Sequence, residues 1–394
     1  MNLEVLDGGL PPRCPTVVKV IGTGGGGSNA VNRMIEHGIK DVDFIAVNTD
    51  TQALDKCRAG NKLPIGRKTT QGLGAGGDPE KGKEAAQADE DMIKNCLRDA
   101  NMVFITAGMG GGTGTGSAPV IAALARQQGA LTVGVVTKPF NFEGARRMRL
   151  AEEGIEELRK NVDTLIVIPN SNLLNLEDKG VTLQNAFSKA DDVLREGIQA
   201  ISEIITRAGT VNIDFADVKA AMKDQGDALL GIGFGTGDRR AQVAAGEAIN
   251  NPLYETNSIA GAKHILINVI GGPDITLKEY EEIVNRVTSE ADEDADIKPG
   301  FVVDTDESTV QAGRIQVTVI ATGFPNVSRR QTGCEAEPKK LHSDQLFDYD
   351  KVFSGTELEK HYTNPESNLE IPTYLRKGFH LVETGPYETA RKHA

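Results

Sequence analysis

Short apolar runs alternate with amphipathic stretches over roughly the first 170 residues of the chain. Each run is rich in Val and Ile and is bounded by glycine, proline or asparagine, which is typical of a buried strand. Helices are expected between the runs. One begins at Ala30, and a single helix is expected from Pro79 to Arg98. A third begins at Ser117 and has Pro119 in its first turn. This alternation predicts an α/β fold with a mostly parallel sheet covered on both faces. The predicted strands are residues 16–21, 42–48, 62–65, 102–107, 130–137 and 162–168.

The second half of the chain has a different pattern. Residues 181–207 carry one apolar stripe at helical spacing, which predicts a long central helix. Further strands and helices predict a second, smaller α/β domain, whose acidic run 290–296 is expected to be a solvated surface. After Pro325 the periodicity disappears, which is typical of disorder. The predicted divisions are a flexible leader (1–14), a first domain (15–177), the central helix (178–207), a second domain (208–325), a disordered linker (326–367), a short apolar and basic peptide (368–379) and a terminal extension (380–394).

The sequence GGGTGTG at residues 110–116 separates a predicted strand from a predicted helix. Glycine lets the backbone come close to a ligand, and the first amides of a helix face an anion there. The segment contains no lysine, so it differs from the GxxxxGK[ST] phosphate loop. These features predict a phosphate site made almost wholly of backbone amides.

A second glycine segment leaves two hypotheses open. Gly22, Gly24 and Gly27 follow the first predicted strand with GxGxxG spacing, and Asp50 stands just past the second strand. This combination is typical of dinucleotide binding, so an NAD-dependent oxidoreductase is one alternative. The other is a nucleotide site built from two glycine turns, because both turns follow strands of the same predicted sheet and lie at one edge of it.

Two further groups of polar residues each have a structural and a functional interpretation. Phe187 and Asp191 share one helix face, either as a core Phe beside a solvated Asp or as a stacking ring and a carboxylate that accepts from guanine. In the segment Asn212–Asp217, the carboxylates of Asp214 and Asp217 either cap a helix or orient a water molecule, and both roles can hold together.

Composition narrows the classes of partner. The 394 residues carry a net charge of −13, which argues against nucleic acid as the main partner. No apolar run approaches the ~20 residues of a membrane span, and the first residues lack the apolar core of a signal peptide. The four cysteines are scattered without a CxxC pair, which is typical of reduced thiols in the cytoplasm.

Several segments together resemble the tubulin/FtsZ family of GTPases. They are the first glycine turn (24–29), GLGAGG (72–77), GGGTGTG (110–116), TKPFNFEG (137–144), IPN (168–170), NIDFAD (212–217) and the tail sequence IPTYLRK.

The resemblance implies a Rossmann-like domain that binds GTP and GDP with Mg²⁺. It assigns nucleotide binding to Gly25, Gly26, Gly27, Ser28, Asn29, Gly112, Thr113, Gly114, Glu143, Arg147, Asn170, Phe187 and Asp191. It also implies head-to-tail filaments, in which Asp214, Asp217 and Asn212 act on the GTP of the neighbouring subunit. The chain would work in the cytoplasm at the mid-cell division site, held there by membrane-tethering adaptors that bind residues 368–377. A tubulin-like scaffold that binds GTP without cleaving it remains a further alternative.

Overall fold

The computed structural model describes residues 16–173, 182–207, 209–250, 259–292, 294–304 and 313–324. The chain divides into two units, Met1–Val327 and Ser328–Ala394, and every described residue lies in the first. The predicted leader, linker, tail peptide and terminal extension all lie outside the described residues.

Seven strands of the described chain form one sheet in which every pair of neighbours is parallel. They are β1 (Val18–Thr23), β2 (Asp43–Asn48), β3 (Asn61–Pro64), β4 (Met102–Gly108), β5 (Leu131–Lys138), β6 (Thr164–Pro169) and β7 (Gly226–Asp227). The order is β3-β2-β1-β4-β5-β6-β7, so the chain reverses its direction of travel across the sheet between β1 and β4. Ligands of open α/β sheets bind beyond the carboxyl ends of the strands at such a switch point.

Helices cover both faces of this sheet, as predicted. Along β4, Met102 and Phe104 belong to one buried cluster and Val103 and Ile105 to another, because successive side chains point to opposite faces. The helices are α1 (Gly24–Glu36), α2 (Thr51–Lys56), α3 (Arg67–Thr70), α4 (Pro79–Ala88), α5 (Glu90–Leu97), α6 (Thr113–Gln127), α7 (Ala145–Asn161), α8 (Asn170–Leu173) and α9 (Leu183–Thr206).

Three predicted helix boundaries in this half are wrong. Helix α1 begins at Gly24 rather than at Ala30, because helix packing against the sheet outweighs the low helix propensity of glycine. Helix α6 begins at Thr113, so Pro119 lies inside the helix and not in its first turn. The single helix expected from Pro79 to Arg98 is two helices that meet at Asp89, whose carboxylate accepts a 2.6 Å hydrogen bond from the Gly66 amide.

Within the described residues, the smaller sheet has four strands in the order β10-β9-β11-β8. The bounds of its strands and of the helices in this half are β8 (Leu229–Gly235), β9 (His264–Gly271), β10 (Asp296–Val303), β11 (Ile315–Thr322), α10 (Phe215–Met222), α11 (Arg240–Ile249) and α12 (Leu277–Thr288). The sequence predicts a strand at residues 301–303, but β10 begins at Asp296, so one end of the acidic run is part of the strand. It also contains Pro299, which an edge strand tolerates because one side of its backbone needs no ladder partner.

Helix α9 packs against both sheets. Its buried residues Leu194, Ile198 and Ile201 share one core cluster with Val135 of the large sheet and Leu266 of the small one. The predicted fold class, a mostly parallel sheet with a long central helix and a smaller α/β part, is therefore confirmed. Among the described residues no helix is both long and apolar enough to cross a membrane.

Candidate functional site

The first glycine turn leaves a helix N-terminus open. Helix α1 follows β1 without a connecting loop, since Gly24 turns the backbone with φ of +70°. Within the described chain, its first amides receive no side-chain cap and its first turn holds no acidic residue. A Cβ atom added to Gly25 would meet nothing within 4 Å, so there is free space beside this turn. Uncapped amides beside free space can bind an anion.

The second glycine turn has the same design on the neighbouring strand. Gly110 has φ of +91°, and its amide donates a 2.9 Å hydrogen bond to the hydroxyl of Thr115, which fixes the turn. Helix α6 then starts at Thr113 with no side-chain cap and no acidic residue in its first turn, again within the described residues. The hydroxyl of Thr113 lies 2.6 Å from that of Thr49, which extends the polar rim towards β2.

The two turns are in direct contact. A Cβ atom on Gly24 would lie 2.8 Å from the Gly114 amide nitrogen, and one on Gly112 would lie 2.8 Å from the amide nitrogen of Asp78. Real Cβ atoms do not come this close to backbone, so only glycine allows the segments to meet. The two glycine turns thus meet at the switch point between β1 and β4, and the segment 72–78 packs against the second of them.

Two predicted phosphate-side residues have different environments. The hydroxyl of Ser28 donates to the carbonyl of Gly24 at 2.8 Å and is buried, so only the backbone of Ser28 is available to a ligand. Asn29 is exposed on the same turn of α1.

Glu143 and Arg147 form a brace beside the second glycine turn. The sequence predicts a helix that carries Glu143, but the structure places this residue in a 3₁₀ turn (Asn141–Glu143) just before α7. Its carboxylate accepts from the Phe140 amide at 2.8 Å and pairs with the guanidinium of Arg147 at 2.9 Å. The backbone of Arg147 packs against Gly110, where an added Cβ would lie 2.6 Å from the Arg147 carbonyl oxygen. The pair therefore connects the loop after β5 to the glycine turn.

Asn170, Phe187 and Asp191 form the opposite end of the rim. Asn170 is buried, and its Oδ1 atom has no hydrogen-bond partner among the described residues. Burial raises the pKa of the Asp191 carboxyl to about 7, although the nearby Arg33 guanidinium acts in the other direction. A buried acceptor without a donor and a carboxyl that is costly to ionise are both typical of a site that awaits a polar ligand.

Phe187 belongs to an aromatic cluster that the sequence did not predict. Its ring centroid lies 5.3 Å from that of Phe140 and 6.5 Å from that of Phe142, with the rings nearly perpendicular in both pairs. Phe140 and Phe142 stack at 5.0 Å. The side chain of Phe187 is 40% exposed, so part of its ring is available to a planar ligand.

The segment Asn212–Asp217 lies at the other end of α9. Asp214 caps α10 by accepting from the Asp217 amide at 2.7 Å, which fits the structural interpretation. Asn212 accepts from the Gly209 amide at 2.5 Å. From Asp191 to Thr206, the last residue of α9, the helix runs about 22 Å. The carboxylates are thus far from the glycine turns of the same chain.

The close packing of α1 on β4 gives a prediction for stability. A Cβ atom on Gly27 would lie 2.4 Å from the carbonyl oxygen of Thr106, so we expect Gly27→Ala to lower the free energy of unfolding by about 2–3 kcal/mol. Gly25→Ala is the matched control and should leave it unchanged or slightly higher, because the added methyl has free space. Denaturant unfolding of the nucleotide-free proteins measures both; equal effects of the two changes would show that the close contact is unimportant.

Comparison with known proteins identifies the family. Residues 17–178 match the Tubulin/FtsZ family GTPase domain, and residues 226–325 match the FtsZ family C-terminal domain. The chain belongs to the tubulin/FtsZ family. The resemblance predicted from the sequence is therefore confirmed, and the first domain of this tubulin/FtsZ protein is a GTPase domain.

Two solved structures have a similar fold. An empty FtsZ dimer from M. jannaschii is 43% identical, with a TM-score of 0.74 over 79% of this chain and 89% of that chain. A GTPγS-bound protofilament of CetZ2 from Haloferax volcanii shares the fold at 22% identity, with a TM-score of 0.66 over 79% of this chain and 94% of that chain.

Family membership favours the GTPase over the NAD-dependent oxidoreductase. The structure adds a local reason, because the Asp50 carboxylate caps α2 by accepting from the amides of Gln52 at 2.9 Å and Ala53 at 3.2 Å. This acid, on which the dinucleotide hypothesis depended, is thus already engaged by backbone.

Proposed function

We propose that this protein binds GTP at the rim between β1 and β4 and hydrolyses it in head-to-tail filaments, with Asp214 and Asp217 acting on the GTP of the adjacent subunit. The observation that carries the proposal is the distance along α9. Because about 22 Å of helix separates Asp191 from the end of α9, one copy cannot bring both ends to the same nucleotide. A second copy, stacked head to tail, can supply the missing carboxylates.

The phosphates would lie against the two open helix N-termini. The amides of Gly25–Asn29 and Gly112–Gly114, together with both helix dipoles, would hold the negative charge. Arg147 would add a positive charge beside the second turn, where Glu143 holds its guanidinium.

Magnesium would be bound mainly by the nucleotide. Among the described residues there is no group of three or more His, Cys, Asp or Glu side chains placed to hold a metal ion. Mg²⁺ keeps several waters and is commonly held through substrate phosphates with only one or two protein ligands. When bound, the ion would neutralise charge on the phosphates during transfer.

Guanine would be recognised by Asn29, Asn170, Phe187 and Asp191. The N1–H and N2–H₂ groups of guanine donate side by side to a carboxylate, whereas adenine offers no such pair. Phe187 would stack on the base with the exposed part of its ring. The Asn170 Oδ1 atom, which has no partner in the described part of the chain, would accept a further hydrogen bond.

This role of Asp191 predicts a pH dependence of GTP affinity. Only the ionised carboxylate accepts both guanine donors, and its pKa in the empty pocket is about 7. Affinity should therefore fall as the pH drops through 7, with a dissociation constant about tenfold higher at pH 6 than at pH 8. Titration calorimetry at both pH values in two buffers would measure the affinity and the protons released.

Arg33→Met separates this effect from titration of the GTP phosphates. The Arg33 guanidinium favours the ionised form of Asp191, so its removal raises the pKa and moves the loss of affinity to higher pH. The phosphates of GTP are the same in both experiments. An unmoved midpoint would mean that Asp191 is not the titrating group.

The hydrolytic step needs a water molecule placed in line with the γ-phosphate. Asp214 and Asp217 of one copy would accept hydrogen bonds from that water and orient it, as other nucleotide hydrolases do with a polar side chain. The contact joins different surfaces of two copies, so it extends into a filament rather than closing as a dimer.

The central experiment follows phosphate release and light scattering together as the protein concentration rises. We expect turnover per subunit to be low in dilute protein and to increase above a threshold at which GTP-dependent scattering begins. Full turnover below the threshold would contradict the shared site. Scattering without phosphate release would instead support the non-catalytic scaffold.

Three parts of the proposal rest on family resemblance. They are assembly at the mid-cell division site, location in the cytoplasm, and tethering by adaptors through residues 368–377, which lie outside the described residues. The domain limits at 177, 207 and 325 likewise stay predictions.

A further inference from the structure

The segment that carries Asp214 and Asp217 is attached to the edge of the small sheet. Val211 and Phe301 exchange two backbone hydrogen bonds, of 3.2 Å and 2.9 Å. Ile213 packs on Gly300, where an added Cβ would meet the Ile213 side chain at 3.0 Å. The segment therefore takes its position from β10 as well as from α10.

One side of β10 brings a lysine to this segment. Residues at alternate positions of a strand share a face, so Asp296, Lys298 and Gly300 point to the same side. The Nζ atom of Lys298 lies 3.5 Å from Asp217 Oδ1 and 3.5 Å from Asp296 Oδ1. The two carboxylates raise the pKa of the Lys298 ammonium, with Asp296 the larger cause, so the lysine stays charged at neutral pH.

We propose that Lys298 is a positioning residue for hydrolysis, which holds the Asp217 carboxylate in place to orient water at the γ-phosphate of the adjacent subunit. This inference rests on the proposed function. Asp296 anchors the ammonium from its own strand, and the ammonium in turn fixes the rotamer of Asp217. The sequence offered no signal for this, because Lys298 is 81 positions from Asp217 and was not predicted to lie in a strand.

The positive charge of Lys298 would also assist hydrolysis in a second way. Two carboxylates that approach a triphosphate are repelled by it, and a nearby cation reduces that repulsion. The effect is confined to the assembled state, because only there does the Asp217 carboxylate face phosphate. An exposed ion pair contributes little to folding, so its loss should be visible in turnover rather than in stability.

The test compares Lys298→Met with Lys298→Arg. We expect Lys298→Met to lower turnover per assembled subunit about tenfold, with GTP affinity and sedimented filament mass unchanged. Lys298→Arg, which keeps the charge, should restore turnover to within about twofold. Lys94→Met is the matched control, because Lys94 forms an equally exposed pair with Glu90 at 3.0 Å, and it should change nothing.

A double-variant cycle shows whether Lys298 acts through Asp217. In an Asp217→Asn background, Lys298→Met should cause no further loss of turnover. An additive loss would overturn the inference, as would a fall in turnover that merely follows a fall in filament mass. If turnover of the unchanged protein does not depend on its concentration, the proposed function fails and this inference with it. A concentration-dependent turnover that Lys298→Met leaves intact defeats this inference alone.

Discussion

Replacing Asp217 by asparagine is expected to lower GTP turnover about 100-fold or more while the affinity for GTP stays the same. The carboxylate would orient the attacking water, and asparagine lacks the charge that makes it a strong acceptor. Asp214→Asn should behave alike, and it keeps a side chain that can still cap α10, so the helix is preserved. Phosphate release per sedimented subunit and binding of a fluorescent GTP analogue measure the two quantities.

The control is Asp91→Asn, which changes an acidic residue in the first turn of another helix, α5, and should leave turnover intact.

A mixing experiment then tests the shared site directly. Asp217→Asn has an intact pocket, and Asp191→Asn has intact carboxylates at the other end. In an equal mixture with random order, about a quarter of the contacts place the intact pocket of Asp217→Asn against the intact carboxylates of Asp191→Asn. About a quarter of normal turnover should therefore return. Co-sedimentation without recovery would contradict a site formed by two copies.

Asp191→Asn should change which purine the pocket accepts. An asparagine amide donates where the carboxylate accepted, so the N2 amino group of guanine would face another donor. We expect GTP affinity to fall at least 100-fold and XTP affinity to rise, because xanthine carries an oxygen in place of that amino group. Competition between the two nucleotides for each protein measures the switch.

Asp192→Asn is the matched change on the adjacent position. Its carboxylate lies 3.9 Å from the Arg195 guanidinium and is not expected to meet the base, so guanine preference should remain. Asp191→Asn with an undiminished preference for GTP would show that another group reads the base.

Local signals explain why the meeting of the two glycine turns could be predicted from the sequence. Each glycine turn follows a Val- and Ile-rich strand, and parallel strands bring their carboxyl ends to one rim, so Gly25 and Gly112 could be placed together before any coordinates. Asp191 and Phe187 were suggested by spacing on one helix face. Most of these signals lie within a few residues of one another in the chain.

The remaining features depend on contacts between distant parts of the chain. The break at Asp89 follows from a hydrogen bond to Gly66, and the helical start at Gly24 follows from packing on Thr106 and Gly108. The Phe142 ring could not be assigned because only the tertiary fold brings it to Phe187. The role of Lys298 could not be predicted either, because only the tertiary fold brings it to Asp217. The proline in β10 and the acidic run at its start indicated a solvated surface rather than a strand.

The position of β10 at the edge of its sheet also bears on solubility. A free sheet edge is a template for adding strands from other molecules, and the risk grows when copies are concentrated side by side. Pro299 removes one amide from this edge, and Val211 engages the backbone of Phe301. Both features leave fewer free backbone groups on β10, so a strand from another molecule is less able to pair with it.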